Sequence, residues 1–195
     1  MPQAPGLAPD APEKIARGVA YKQQGNEAFV ARNFTGALRA YHHAVLVRGR
    51  SLTQYLAGLD QSPTAGVLPH ESTPSEAPGD SVREDKRELS QVRSNMAACY
   101  LQLGRHDRAV ESCNQAITLD AHNAKAIYRK AQALARRGDL HAAQAWLASE
   151  PAQPYANDPA FVAEARMIAT QIEARERKSA QALRGFLSKG RSVAS

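Results

Sequence analysis

The chain has 195 residues, a net charge of +6 and 43% hydrophobic residues, enough for one modest core. Its 11 prolines and a mean hydropathy of −0.47 place substantial polar stretches outside that core. Nothing in it reads as a membrane span, and the proline-rich residues 1–13 lack the apolar centre of a secretory signal.

In chain order, residues 1–13 are expected to be disordered. A first helix is predicted from about Lys14 to Ala31 and a second from Asn33 to Arg50, with Asn33 as the cap between them. Leu56 to Asp85 follows, an acidic stretch containing Gln61-Ser-Pro-Thr-Ala-Gly and Glu71-Ser-Thr-Pro-Ser-Glu-Ala-Pro-Gly-Asp80. It holds too few large apolar residues to offset the entropy of ordering and is expected to be a disordered insertion. Helices are then predicted near 86–103, 106–119, 123–136 and 139–149. Pro151, Pro154 and Asn157 break that register, and Asp158-Pro159 opens a last helix, a side-chain cap followed by proline in the first turn. This helix is expected to reach Lys189 and to end at Gly190. Phe161, Ala165, Ile168, Ile172, Leu183 and Leu187 give it an apolar stripe, interrupted by the polar run from Glu173 to Ser179.

The predicted helices repeat. A unit from Ser90 to Asn123 sets small or aromatic residues, Ala97, Tyr100, Ala109 and Ala116, where two antiparallel helices must approach closely. Ala124 to Arg137, the turn Gly138-Asp139-Leu140 and Ala143 repeat the order, cut short at Pro151. Upstream, Gly25, Phe34, Ala37, Tyr41 and Ala44 fit the same frame from Gly18. From Gly18 to Ser90 is 72 residues, 38 more than one 34-residue period, so an insertion separates the first unit from the second.

In that frame Lys22 and Asn26 on the first unit, Asn95 on the second, and Lys125 and Arg129 on the third fall at related positions facing one groove. Side chains four apart on a helix share a face. Lys125 and Arg129 are therefore like charges held together, which costs about 0.2–0.5 kcal/mol unless an anion sits between them. Amides beside them add donors without adding repulsion, so the set suits a carboxylate. The alternative is a solvated helix face. Phe29 either lines a pocket for an apolar ligand side chain or packs in the core, and Gln132 is a candidate for bonding a ligand backbone.

The chain resembles the tetratricopeptide repeat over residues 14–150, most closely the tetratricopeptide repeat protein 9 group and the repeat domains of immunophilin-type co-chaperones. The resemblance rests on Tyr21-Lys-Gln-Gln-Gly-Asn26, Tyr41-His-His-Ala44, Asn95-Met-Ala-Ala-Cys99 and Asn123-Ala-Lys-Ala-Ile-Tyr-Arg129. It implies an all-α solenoid of three helical hairpins, with residues 151–195 forming a capping helix and basic tail. It further implies that Lys22, Asn26, Asn95, Lys125 and Arg129 are a two-carboxylate clamp for the Glu-Glu-Val-Asp tail of heat-shock chaperones of the 90 kDa or 70 kDa class. Another acidic C-terminal peptide is the alternative ligand, and the C-terminal helix is open to further protein partners.

Other chemistry is not expected. Cys99 and Cys113 fall at small apolar positions inside helices, and two cysteines make no disulfide framework, which suits a reducing cytoplasmic compartment. The histidines show no metal-ligand spacing. No phosphate loop, nucleophile elbow or segment resembling an isomerase domain appears, so neither catalysis nor a cofactor is expected. Few aromatics accompany the basic residues of the tail, a poor fit to nucleic acid.

Overall fold

The computed structural model describes residues 11–60 and 78–192, and every regular element among them is helical. The helices are α1 (Ala11–Val30), α2 (Phe34–Asp60), α3 (Pro78–Gln102), α4 (His106–Leu119), α5 (Ala124–Arg137), α6 (Leu140–Leu147) and α7 (Pro159–Ser192), with a 3-10 turn at Glu150–Tyr155 before α7. Each packs on the next, and α3 also lies against α5. The helices pair as α1–α2, α3–α4 and α5–α6, the expected three-hairpin solenoid.

Side chains cap three of the helix starts, the expected Asn33 and Asp158 together with Asn123. Asn33 Oδ1 accepts from the Gly36 amide at 2.9 Å, Asn123 Oδ1 from Ala126 at 3.1 Å, and Asp158 Oδ1 from Ala160 at 2.8 Å. Gly138, at φ 99°, ends α5 in the left-handed conformation that glycine adopts without a Cβ clash.

Three boundaries differ from expectation. The segment 56–85 is not wholly unstructured: α2 continues to Asp60 and α3 begins at Pro78, so only 61–77 falls outside the described residues. Leu52, Leu56 and Leu59 are good helix formers with no proline before Pro63, and proline at the first position of α3 suits a helix start. At the other end α1 begins at Ala11, three residues earlier than expected, while residues 1–10 lie outside the described ones. Finally, α7 passes Gly190 to reach Ser192; one glycine costs a helix about 1 kcal/mol, too little by itself to stop it.

The core is continuous along the stack. Ala37, Leu38, Tyr41 and Ala44 of α2 meet Val92, Met96 and Cys99 of α3. The α1–α2 approach is set by Gly25: a Cβ there would stand 2.4 Å from Tyr41 Cε1, so the phenol ring occupies the space a side chain would need. Between the second and third hairpins, the buried Ser90 hydroxyl donates to the Ala116 carbonyl at 2.8 Å and accepts from Asn123 Nδ2 at 2.8 Å, leaving both side chains satisfied.

At the C-terminal end α6 stops after eight residues, ahead of Pro151. The 3-10 turn and α7 cover what it leaves. Ile168 and Ile172 pack on Leu134, Leu140 and Ala143, while Phe161 packs on Ile127 and Ala152 and stacks on Tyr155. Ala165, expected in the buried stripe, is exposed; Glu164 is buried in its stead, and its carboxylate receives the Tyr128 hydroxyl at 3.3 Å. Beyond Ile172 every described side chain is exposed, including Leu183 and Phe186.

Two outcomes follow from this packing. Gly25→Ala should lower the urea midpoint, because pressing a methyl into the Tyr41 ring costs about 1–3 kcal/mol, outweighing the roughly 1 kcal/mol gained in helix propensity. Cutting the chain before Asp158 removes Phe161, Ile168 and Ile172, each worth about 1.5–3 kcal/mol when buried. That sum approaches the whole stability of a small domain, so the cooperative melt followed by circular dichroism should be lost, whereas a cut after Lys178 should leave the midpoint nearly unchanged.

Candidate functional site

The groove residues come from the first helix of each hairpin: Lys22 and Asn26 from α1, Asn95 from α3, Lys125 and Arg129 from α5. Three of them form one line of hydrogen bonds. Arg129 Nη1 donates to the Ser94 carbonyl at 2.8 Å, to Ser94 Oγ at 2.7 Å and to Asn95 Oδ1 at 3.4 Å. Asn95 Nδ2 donates to Asn26 Oδ1 at 3.2 Å, and Tyr41 donates to the same oxygen at 2.8 Å.

The direction of this line is fixed by chemistry. A guanidinium has no acceptor, so the Asn95 oxygen must face Arg129 and the Asn95 amide nitrogen must face Asn26. Asn26 then presents its oxygen inward to two donors. Its own Nδ2 has no acceptor recorded among the described residues. The arrangement therefore ends in a spare donor on the groove. Tyr41 stays a neutral donor throughout, because burial, reinforced by Cys99, pushes its pKa up to about 12. Burial also pulls the Arg129 guanidinium below its ordinary value.

The two lysines are not in that line. Lys125 is exposed on α5, one turn from Arg129, and has no partner recorded among the described residues. Lys22 is engaged: its Nζ lies 2.8 Å from Glu88 Oε2 and donates to Gln91 Oε1 at 2.7 Å. Phe29 packs edge-on against Phe34 at 5.4 Å and borders the first core cluster, in keeping with the core alternative. Gln132 turns toward the capping helix, donating to the Tyr128 hydroxyl at 3.1 Å and to Glu164 at 3.4 Å.

Sequence reasoning missed Tyr41, Ser94, Glu88 and Gln91 as groove neighbours. Tyr41 carried a signal, since a buried phenol facing Gly25 needs a partner for its hydroxyl. The other three contacts join hairpins and leave no trace in local spacing.

Cys99 and Cys113 are free and buried, and burial raises both thiol pKa values to about 12. Because those values exceed the unfolded value, the folded chain retains two protons that the unfolded chain releases, and stability must fall as pH rises from about 9 toward about 12. Both thiols should react slowly with an aromatic disulfide reagent at pH 8 and become fully available in denaturant; rapid native labelling would show that they are not enclosed. No group of three His, Cys, Asp or Glu able to hold a metal ion occurs among the described residues, nor is any described helix long and apolar enough to cross a membrane.

A stack of helical hairpins with polar side chains converging from the first helix of each defines a helical-repeat protein. Profiles described as tetratricopeptide repeat match residues 90–123 and 128–149, so these residues carry tetratricopeptide repeats. It is 27% identical over 175 residues to the peptidyl-prolyl cis-trans isomerase FKBP42 of Arabidopsis thaliana, a match covering 89% of this chain and 42% of that protein. Its fold is similar to that of the Hsp90 co-chaperone Cns1 from Saccharomyces cerevisiae, with a TM-score of 0.65 at 21% identity over 91% of this chain and 46% of the other. It is also similar to the first repeat domain of Spaghetti (RPAP3) bound to the HSP90 peptide SRMEEVD, with a TM-score of 0.55 at 18% identity over 82% of this chain and 98% of that one. The chain thus spans less than half of the Arabidopsis relative.

Proposed function

We propose that this chain is a non-catalytic co-chaperone adaptor of the cytoplasm, whose groove receives the C-terminal Glu-Glu-Val-Asp tail of a heat-shock chaperone of the 90 kDa or 70 kDa class. Lys22, Asn26, Asn95, Lys125 and Arg129 are its two-carboxylate clamp, with Phe29 and Gln132 beside it. The observation that carries this reading is the directed line from Arg129 through Asn95 to Asn26, which ends in a free amide donor and runs beside the unpaired Lys125. Donors left over at a site call for an acceptor, and a chain terminus supplies a charged one. The RPAP3 domain of the same fold is seen with such a peptide, which favours this ligand over other acidic termini. The isomerase activity named for the Arabidopsis relative is not carried over, since the resemblance described above lies in the repeats.

Lys125 is the cleanest probe, being exposed and uninvolved in packing. Lys125→Ala should weaken binding of SRMEEVD about ten-fold, some 1.4 kcal/mol, in isothermal titration, with unchanged helicity. Arg129→Ala should lose as much affinity and some stability, because it also releases Ser94 and Asn95. Amidating the peptide terminus should do comparable harm, whereas Lys178→Ala, on the exposed part of α7, should change little. Equal binding of free-acid and amidated peptides would defeat the assignment.

A further inference from the structure

The clamp is half occupied by the protein itself. Lys22 holds two internal acceptors, the Glu88 carboxylate and the Gln91 amide oxygen, both from α3. Glu88 is in turn held from its other side. Arg48 of α2 places Nη1 3.3 Å from the same Oε2, and its Nη2 lies 3.6 Å from Asp85 Oδ1. Arg48 is only 7% exposed. Its stem is seated against Gly18 of α1, where an added Cβ would stand 2.7 Å from Arg48 Cγ. Despite this burial, and although the Glu88 carboxylate lies within ion-pair distance, Arg48 Nε and Nη1 make no hydrogen bond of good geometry among the described residues. Lys22, Asn26, Arg48, Glu84 and Glu88 together line a recess of about 360 Å³ that opens beside the free amide of Asn26.

We propose that Glu88 is an internal competitor for the groove, bonded to Lys22 in the free chain and turned onto the vacant donors of Arg48 when an acidic C-terminal tail takes Lys22. This rests on the tail-binding reading given above. Three features lead to it. An incoming carboxylate needs the Lys22 ammonium, whose present partner is a carboxylate of like charge. That carboxylate has a second cation within reach, so its release does not strand a charge away from a partner. The second cation is buried with donors to spare, which a carboxylate swung toward it would satisfy. Lys125, at the opposite end of the groove, has no such competitor recorded among the described residues, so the two halves of the clamp differ: one is open, and the other must exchange partners. Glu88 would then set the affinity threshold, admitting tails that offer more than a single carboxylate.

The test uses the full chain and the peptide SRMEEVD. Glu88→Gln keeps the shape and removes the competing charge; it should bind the peptide about two- to five-fold more tightly, the range expected from one part-exposed ion pair. The gain should vanish on Lys22→Ala, so that Lys22→Ala/Glu88→Gln binds as Lys22→Ala does. A second readout needs no peptide. Acetylation by acetic anhydride, followed by mass spectrometry, should modify Lys22 more slowly than Lys125 in the wild type, and Glu88→Gln should narrow the gap. If the wild type binds, Lys125→Ala weakens it and Glu88→Gln brings no gain, the competitor is refuted while the clamp stands. The same holds if the gain persists without Lys22, since it would then be a diffuse charge effect. If neither wild type nor Glu88→Gln binds the peptide although the labelling gap narrows, the tail-binding reading falls and the competition falls with it.

Discussion

The contact on which fold and groove both depend is the Tyr41 hydroxyl on Asn26. Its ring fills the space left open by Gly25, which lets α1 and α2 close, and its hydroxyl fixes the amide at the first step of the polar line. At 1% exposure the phenol has no water to bond, so losing Asn26 would leave a buried hydroxyl unsatisfied, at a cost of about 1–3 kcal/mol. A residue of the proposed clamp is thereby also a residue that the core requires. Arg129 repeats the pattern at the third hairpin: its guanidinium faces the groove and also ties α5 to the Ser94 backbone of α3.

Much of this was legible in the chain. The spacing of Gly25, Phe34, Ala37, Tyr41 and Ala44, repeated from Ser90 onward, is dictated by how closely two helices can approach, and so it survives as a pattern of small and aromatic residues. Asn33 and Asp158 announce helix starts because a cap acts within three residues. The five groove residues were legible as register, since a position on the first helix of a hairpin determines the face it occupies. What that register did not contain was the state of each side chain.

Lys22 shows why. Its partner Glu88 is 66 residues away, across the insertion, and only the packing of α1 against α3 brings the two together. Gln132 likewise meets Glu164 from α7, a helix whose rotation against α5 could not be read from its stripe, where Ala165 and Glu164 exchange the places expected of them. The insertion misled at its edges for a related reason. Low apolar content argues against a packed core but not against a helix extended from a nucleus that already exists, and both α2 and α3 supply such a nucleus.

The same physics gives the far part of α7 its character. From Ile172, its last buried residue among the described side chains, the helix runs 20 residues to Ser192, about 30 Å at 1.5 Å per residue. Along that length no described side chain is buried, and the Arg177–Glu173 pair at 3.4 Å is an exposed contact. Its first turns inherit their conformation from the docked segment behind them, while the last turns have only propagation to hold them. The arm is thus a rod anchored at one end, whose melting runs inward from the tip, and its effective length is set by temperature and salt rather than by the residue count.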